Sequence, residues 1–146
     1  MKVFMADSIT VTDSALSVPG ESVRFLIDLG YVAAGSGLFK ESEQIFEAAR
    51  LARPQNAVPL IGKSILQLCR RNPREAARIL IKEALPLNSE TETVKSFLGL
   101  VLAKMGLMSE SSVILREVIA GENSAAVAMA NALLSEIEGK SGAGGI

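Results

Sequence analysis

Histidine and tryptophan are absent from this 146-residue chain, and cysteine occurs once, as Cys69. Without histidine there is no Ser–His or Cys–His nucleophilic pair, and the commonest metal ligand is missing. A single cysteine forms no intramolecular disulfide and no CxxC pair, so nothing points to an oxidising compartment. Cys69 reads instead as a small buried hydrophobe on a helix. Aromatic residues make up only 4% of the chain although hydrophobic ones reach 49%. The apolar mass is therefore Leu, Ile, Val and Ala, which suits close-packed helices better than an aromatic, β-branched sandwich. Neither sign of charge is in excess, with 15 basic and 16 acidic residues. That balance gives no basic field for nucleic acid and no acidic surplus for disorder. No apolar run reaches the roughly 18–20 residues that span a bilayer. Residues 1–11, with one lysine and breaks at Asp7, Ser8 and Thr10, do not form a signal peptide. The expectation is a cytoplasmic, soluble, single-domain protein.

Several local patterns carry no chemistry. Gly62-Lys63-Ser64 and Gly139-Lys140-Ser141 look like the end of a phosphate-binding loop. The glycine that loop needs upstream is replaced by Ala57 and Leu134, and no strand precedes either triplet. The carboxylate pairs Glu41/Glu43, Glu90/Glu92 and Glu136/Glu138 are spaced i, i+2, which sends them to different helix faces. Arg70, Arg71, Arg74 and Arg78 form a basic run without interleaved aromatics, so it reads as a solvated turn whose arginines complement a helix dipole. The sequence thus predicts no enzyme, no metal site and no cofactor.

What the chain does contain is a repeat. Gly30, Gly37, Leu38, Glu41 and Ser42 recur as Gly99, Gly106, Leu107, Glu110 and Ser111, all at one constant offset. That offset is near twice the period of about 34 residues that marks tetratricopeptide helix–turn–helix repeats. The first copy resembles that family in detail. Leu29-Gly30 stands at its Leu-Gly step, Ala33 at a small-residue place, Gly37 in the turn, and Phe39, Ser42, Phe46 and Ala49 at the second-helix core positions. Pro54 closes it, because the residue before a proline disfavours the α region. Helices are expected over 21–35 and 39–52. Small residues at Gly30, Ser42 and Ala49 let the two axes approach, with Phe39 and Phe46 filling the space between.

The third copy repeats this with Leu98-Gly99, Leu102, Gly106, Met108, Ser111, Leu115 and Val118, giving helices over 90–104 and 108–120. Ser89 is the expected N-cap, with Glu92 completing a capping box. The middle copy is degenerate. Starting it at Val58 puts Ile61, Ile65, Leu68, Ala77, Ile81 and Ala84 on the packing positions. Starting one residue earlier would put Lys63 and Glu83 there, which disfavours that frame. Asn72-Pro73 then replaces the turn glycine, with Pro73 in the first helical turn, and Pro86 ends the second helix. The apolar segment 124–138 is the natural cap for the open last repeat.

The expected architecture is therefore an all-α, right-handed tetratricopeptide superhelix of three helix pairs and a capping helix. Repeats fall at about 23–56, 58–89 and 92–123. Residues 1–20 are a leader that is partly disordered or a short docked helix, and 139–146 a flexible Gly/Ser-rich tail.

The resemblance implies that first-helix positions line a concave groove. In the first repeat these are Arg24, Ile27, Tyr31 and Ala34; in the second, Pro59, Gly62, Leu66 and Cys69. The third supplies Thr93, Ser96, Leu100 and Ala103. Only Arg24 is a residue of the kind that clamps a terminal carboxylate, whereas the small and apolar remainder suits an amphipathic helix. Three repeats and one end cap resemble the small chaperones of type III secretion. The Ile/Leu-rich degenerate repeats and the Pro54-Gln55-Asn56 junction are more similar to the needle-subunit chaperones than to the translocator chaperones, whose repeats are more aromatic. That resemblance implies a cytoplasmic protein holding a helix of a secretion subunit and blocking its premature assembly, with a small helical co-chaperone as partner. The alternative is a general tetratricopeptide adaptor or scaffold, able to homodimerise through its apolar groove. Neither reading involves nucleic acid or a membrane span.

Overall fold

The computed structural model describes residues 18–144, with side chains as far as Gly139. Seven helical elements follow one another, and no strand occurs among the described residues. Helix α1 is Gly20–Gly35, α2 Phe39–Ala52 and α3 Val58–Cys69. Helix α4, Pro73–Arg78, continues into a π-helical turn, Ile79–Ala84, and a 3-10 turn, Leu85–Leu87. Helix α5 is Thr91–Lys104, α6 Met108–Ile119 and α7 Ser124–Gly144.

Within each outer pair the same devices hold two antiparallel helices together. The Ser42 hydroxyl donates to the Gly30 carbonyl at 2.9 Å, and at the matching place in the third pair Ser111 donates to Gly99 at 2.6 Å. Phe46, Leu80 and Leu115 are fully buried at equivalent places in α2, in the helix begun by α4, and in α6. A methyl group on Gly30 would lie 2.7 Å from the Phe46 ring, and one on Gly99 2.4 Å from Leu115. Glycine at these two sites is thus a matter of space. Gly37 and Gly106 answer a different need: both sit in the inter-helix turn at φ +81°, a left-handed conformation that side chains disfavour.

The frame of the second pair differs from the expected one. Ser64, Ala76 and Leu80 are all fully buried. They stand one tetratricopeptide period, about 34 residues, after Gly30, Ser42 and Phe46. The frame therefore starts at Ala57, and Ile81 is exposed instead of packed. The step from Ala49 to the buried Ala84 is one residue longer, because the π turn inserts a residue between Leu80 and Ala84. The offset between the first and third copies is thus one regular repeat and one repeat with a π insertion, a familiar way for a helix to absorb an extra residue. The two objections to the earlier frame dissolve: the insertion moves Glu83 off the packing position, and Lys63 pairs with Glu47 at 3.0 Å. Arg71, not Asn72-Pro73, takes the place of the turn glycine, at φ 59°. Asn72 instead caps α4, its side chain accepting from the Glu75 amide, with Pro73 in the first turn as expected.

Two other local expectations are corrected. Ser89 does not cap α5; its hydroxyl accepts from the Ala57 amide at 3.2 Å, tying one inter-repeat junction to the next. Glu92 does not complete a capping box. Its carboxylate accepts from the Glu122 and Asn123 amides, at 3.4 and 2.8 Å, and so clamps the following junction. Asn123 then caps α7 through the Ala126 amide at 3.0 Å. Helix α7 also runs to Gly144, beyond the expected end of the cap at residue 138, so most of the glycine-rich tail is helical. Residues 1–17 of the expected leader lie outside the described residues. Val18 is half-buried against the core of the first pair, which includes Val23, Ile27 and Phe46, and its carbonyl accepts from Arg53.

The arginine run is absorbed by local structure. Arg78 bridges Glu75 and Glu83 at 2.6 and 2.9 Å, bracing the π turn from outside. Its hydrogen bond also holds the Glu75 carboxyl below the usual range. Arg70 lies over the Phe39 ring, 5.8 Å from its centroid.

The first helices of the pairs touch in series, α1 to α3, α3 to α5, and α5 to α7. The second helices make no contact with one another among the described residues. First helices close together and second helices splayed apart make the first-helix layer the inside of the curve.

Candidate functional site

The inner face is built from the positions of α1, α3 and α5 that point away from their pair partners. Arg24 is exposed there, Tyr31, Leu100 and Ala103 are half-buried, and Ile27 and Ala34 are buried. Thr93 is half-buried and Ser96 fully buried, its hydroxyl turned back onto the Thr93 carbonyl at 2.8 Å. Tyr31 sets its ring edge-on to Phe46, with centroids 5.2 Å apart. Burial, then the Asp28 charge, pushes its phenol above the ordinary tyrosine value. The expected groove residues of α1 and α5 therefore share one layer, although three of the eight, Ile27, Ala34 and Ser96, are buried in its floor.

The expected residues of α3 are displaced by the one-residue frame error. Leu66 is fully buried in the core with Phe46, and Pro59 and Gly62 are buried too. A methyl group on Gly62 would lie 2.2 Å from the Phe46 ring, so this glycine seats the second pair against the first. Leu66 and Gly62 offer no surface to a partner, and Pro59 shows only in the wall of the recess between α1 and α3. Their places on the inner face fall to Val58, Ile61, Ile65 and Leu68; of these Val58, Ile65 and Leu68 are half-buried and Ile61 is buried. Cys69 is exposed at the end of α3, contrary to the buried position expected of it. The signal that identifies the correct residues is present in the sequence, in the single-period step from Ser42 to Ala76. Excluding lysine from a first-helix packing position hides it.

Shallow recesses interrupt the face. One of about 270 Å³ lies between α1 and α3, lined by Gly20, Val23, Arg24, Ile27, Val58 and Pro59 together with Arg53 and Asn56 of the inter-repeat junction. Another of about 100 Å³ lies where α5 meets α7, lined by Leu100, Ala103, Leu133 and Ile137, with Lys104, Met108 and Glu136 around it. Both are smaller than the roughly 300–1,000 Å³ that encloses a small-molecule ligand. Their size and lining suit single apolar side chains of a longer partner. Sequence reasoning misses Lys104, Met108, Leu133 and Ile137, because nothing in the repeat pattern brings the capping helix to the inner face. Among the described residues no helix is long and apolar enough to cross a membrane.

No protein-family profile matches the sequence, and no curated protein matches it as a relative. Its fold does have solved counterparts. The chain is similar to the Yersinia enterocolitica type III secretion translocator chaperone SycD, solved as an alternative dimer, at a TM-score of 0.63 and 14% identity. The match covers 85% of this chain and 97% of that one. At this identity the likeness is one of fold, which in this chain is an all-helical array of helix pairs.

Proposed function

We propose that this protein is a type III secretion chaperone that holds an apolar helical segment of a secretion subunit along its inner face. The observation that carries the reading is the fold match over nearly the whole of a translocator chaperone. The chain's inner face adds support, since it presents half-buried aliphatic residues and recesses the size of single side chains. A helix laid across it would place apolar anchors at i, i+3/i+4 and i+7 in the trough. Burying that helix removes the surface through which the client would self-associate.

Two kinds of client fit this mechanism. The sparse aromatics that favour a needle subunit belong to the sequence, whereas the fold neighbour is a translocator chaperone. Co-expression of the chain with the needle subunit, and separately with the translocators, of its host's secretion system decides between them. A stoichiometric complex that survives gel filtration identifies the client. Leu100→Glu, at the rim of the α5–α7 recess, should abolish that complex while leaving the thermal melt unchanged. Failure to bind either kind of subunit overturns the chaperone reading and favours a general adaptor.

A further inference from the structure

In the basic run after α3, Arg70 is committed to Glu43 and the Phe39 ring, and Arg78 to Glu75 and Glu83. Arg71 is not. It is exposed, and among the described residues it makes no ion pair. Yet it holds the turn at φ 59°, in the place where the first and third pairs have glycine at φ 81°. An arginine there carries a steric penalty that glycine escapes. No contact of its side chain within the fold offsets that penalty, and strain of this kind is characteristic of binding positions.

Arg71 borders a recess of about 320 Å³, whose other walls are Leu68, Pro73 and Lys104. The sequence cause of the recess is Pro73. One period earlier, about 34 residues, stands Phe39, whose larger ring is half-buried with Arg70 over it. The smaller proline leaves the matching place open. Lys104 ends α5 and also lines the α5–α7 recess, beside Leu100, Leu133 and Ile137. The two hollows are therefore neighbours, one walled by aliphatic side chains and the other by two cations beside Leu68 and Pro73. Lys104, like Arg71, is exposed and makes no ion pair among the described residues. Glu136 lines the α5–α7 recess, but no carboxylate lines the one between Arg71 and Lys104. Two cations beside apolar walls, where water is partly excluded, attract an anion more strongly than the same charges in open solvent.

We propose that Arg71 and Lys104 form a carboxylate-binding site. It takes an Asp or Glu side chain of a bound helix whose apolar residue one turn away fills the α5–α7 recess. This rests on the inner face being the seat of a helix, as the chaperone reading has it, and adds a charge requirement to the client. The test is a titration of the isotope-labelled full-length chain, followed by NMR, with two blocked alanine-based helical peptides of about 15 residues. One carries Leu and Glu a turn apart, and its twin has Gln for Glu. The Glu peptide should bind about fivefold tighter than its twin and shift the Arg71 and Lys104 signals. The preference should vanish near ~1 M salt, where screening acts within about 3 Å. Arg71→Gly and Lys104→Gln should each cut it to about twofold and together abolish it, whereas Lys82→Gln, an exposed cation elsewhere, should leave it intact. Arg71→Gly should melt no lower than the parent, which separates lost binding from lost folding. Equal binding of the twins overturns the proposal, as do a preference that survives the double variant and the absence of binding up to roughly millimolar peptide. A secretion subunit that binds the double variant as tightly as the parent overturns this site and leaves the chaperone reading standing. Preference for the Glu peptide without binding of any secretion subunit does the reverse.

Discussion

Gly30, Ser64 and Gly99 occupy the same place in successive helix pairs, but only the serine brings a hydroxyl into the core. In the outer pairs the bond crossing this place comes from Ser42 and Ser111, whereas the second pair has Ala76 there. The Ser64 hydroxyl is left buried without a partner. Ser64→Ala should therefore stabilise the fold by about 1 kcal/mol, raising the melting temperature by roughly 2–4 °C for a chain of this size. The opposite sign is expected two residues away. Gly62→Ala drives a methyl into the Phe46 ring, which has no free side to retreat to, and should cost about 1–3 kcal/mol. Calorimetric melts of the two variants check both directions. Glu47 links the same regions by charge, accepting from Arg50 within α2 and from Lys63 in α3. The Arg50 hydrogen bond, opposed by partial burial and aided by Lys63, lowers its carboxyl to about 2. A carboxyl lowered on folding contributes stability at neutral pH that is lost as pH falls from about 4.5 towards 2. Because the side chain is 36% exposed, solvent screening reduces this to about 1 kcal/mol. Glu47→Gln should melt earlier than the parent at pH 7 and converge with it near pH 2.

The helical elements themselves are almost wholly legible in the sequence, because a pair stabilised by Gly30, Ser42 and Phe46 prints its spacing into the chain twice. The second pair is not, and the reason is physical. A π turn preserves burial while breaking period, so Ala84 looks right in one frame while Ala76 and Leu80 are right in the other. Deleting Ile81, an exposed member of that turn, should let the segment wind as α-helix and restore the regular period. The variant is expected to stay folded, with a melting temperature within about 4 °C of the parent. Deleting the exposed Gln44 from α2 rotates Phe46 out of the core and should abolish cooperative melting. Circular dichroism melts of both deletions decide whether the insertion is as local as the geometry makes it. The turns follow the same logic. Arg71 holds a left-handed conformation that Gly37 and Gly106 adopt without a side-chain penalty, so Arg71→Gly should gain up to about 1 kcal/mol, measured by urea unfolding.

Across the whole molecule, the positions expected to face inward on α1 and α5 range from exposed Arg24 through half-buried Tyr31, Thr93, Leu100 and Ala103 to buried Ile27, Ala34 and Ser96. On α3 one residue of error in the frame exchanges half-buried Ile65 for fully buried Leu66. The cap itself is legible as the apolar segment 124–138, but the share of Leu133 and Ile137 in the α5–α7 recess is not, because a capping helix carries no repeat signature of its own. Structurally it closes the array by laying Ala126, Ala130 and Leu134 over Leu115 and Val118, and Arg116 ties to Glu138 at 2.6 Å. Stability in such arrays is a sum of units and their nearest-neighbour interfaces, so an uncovered end weakens first the unit beside it. Truncation after Gly121 should thus lower the melting temperature and speed hydrogen exchange most in α6, less in α4, and least in α1. The same truncation removes Leu133 and Ile137 from the α5–α7 recess. If that recess anchors a client, the truncated chain should lose the complex even under conditions where α1 to α5 remain protected. Equal loss of protection along the whole chain would instead show that the three pairs fold as one cooperative block, with α7 contributing to all of them.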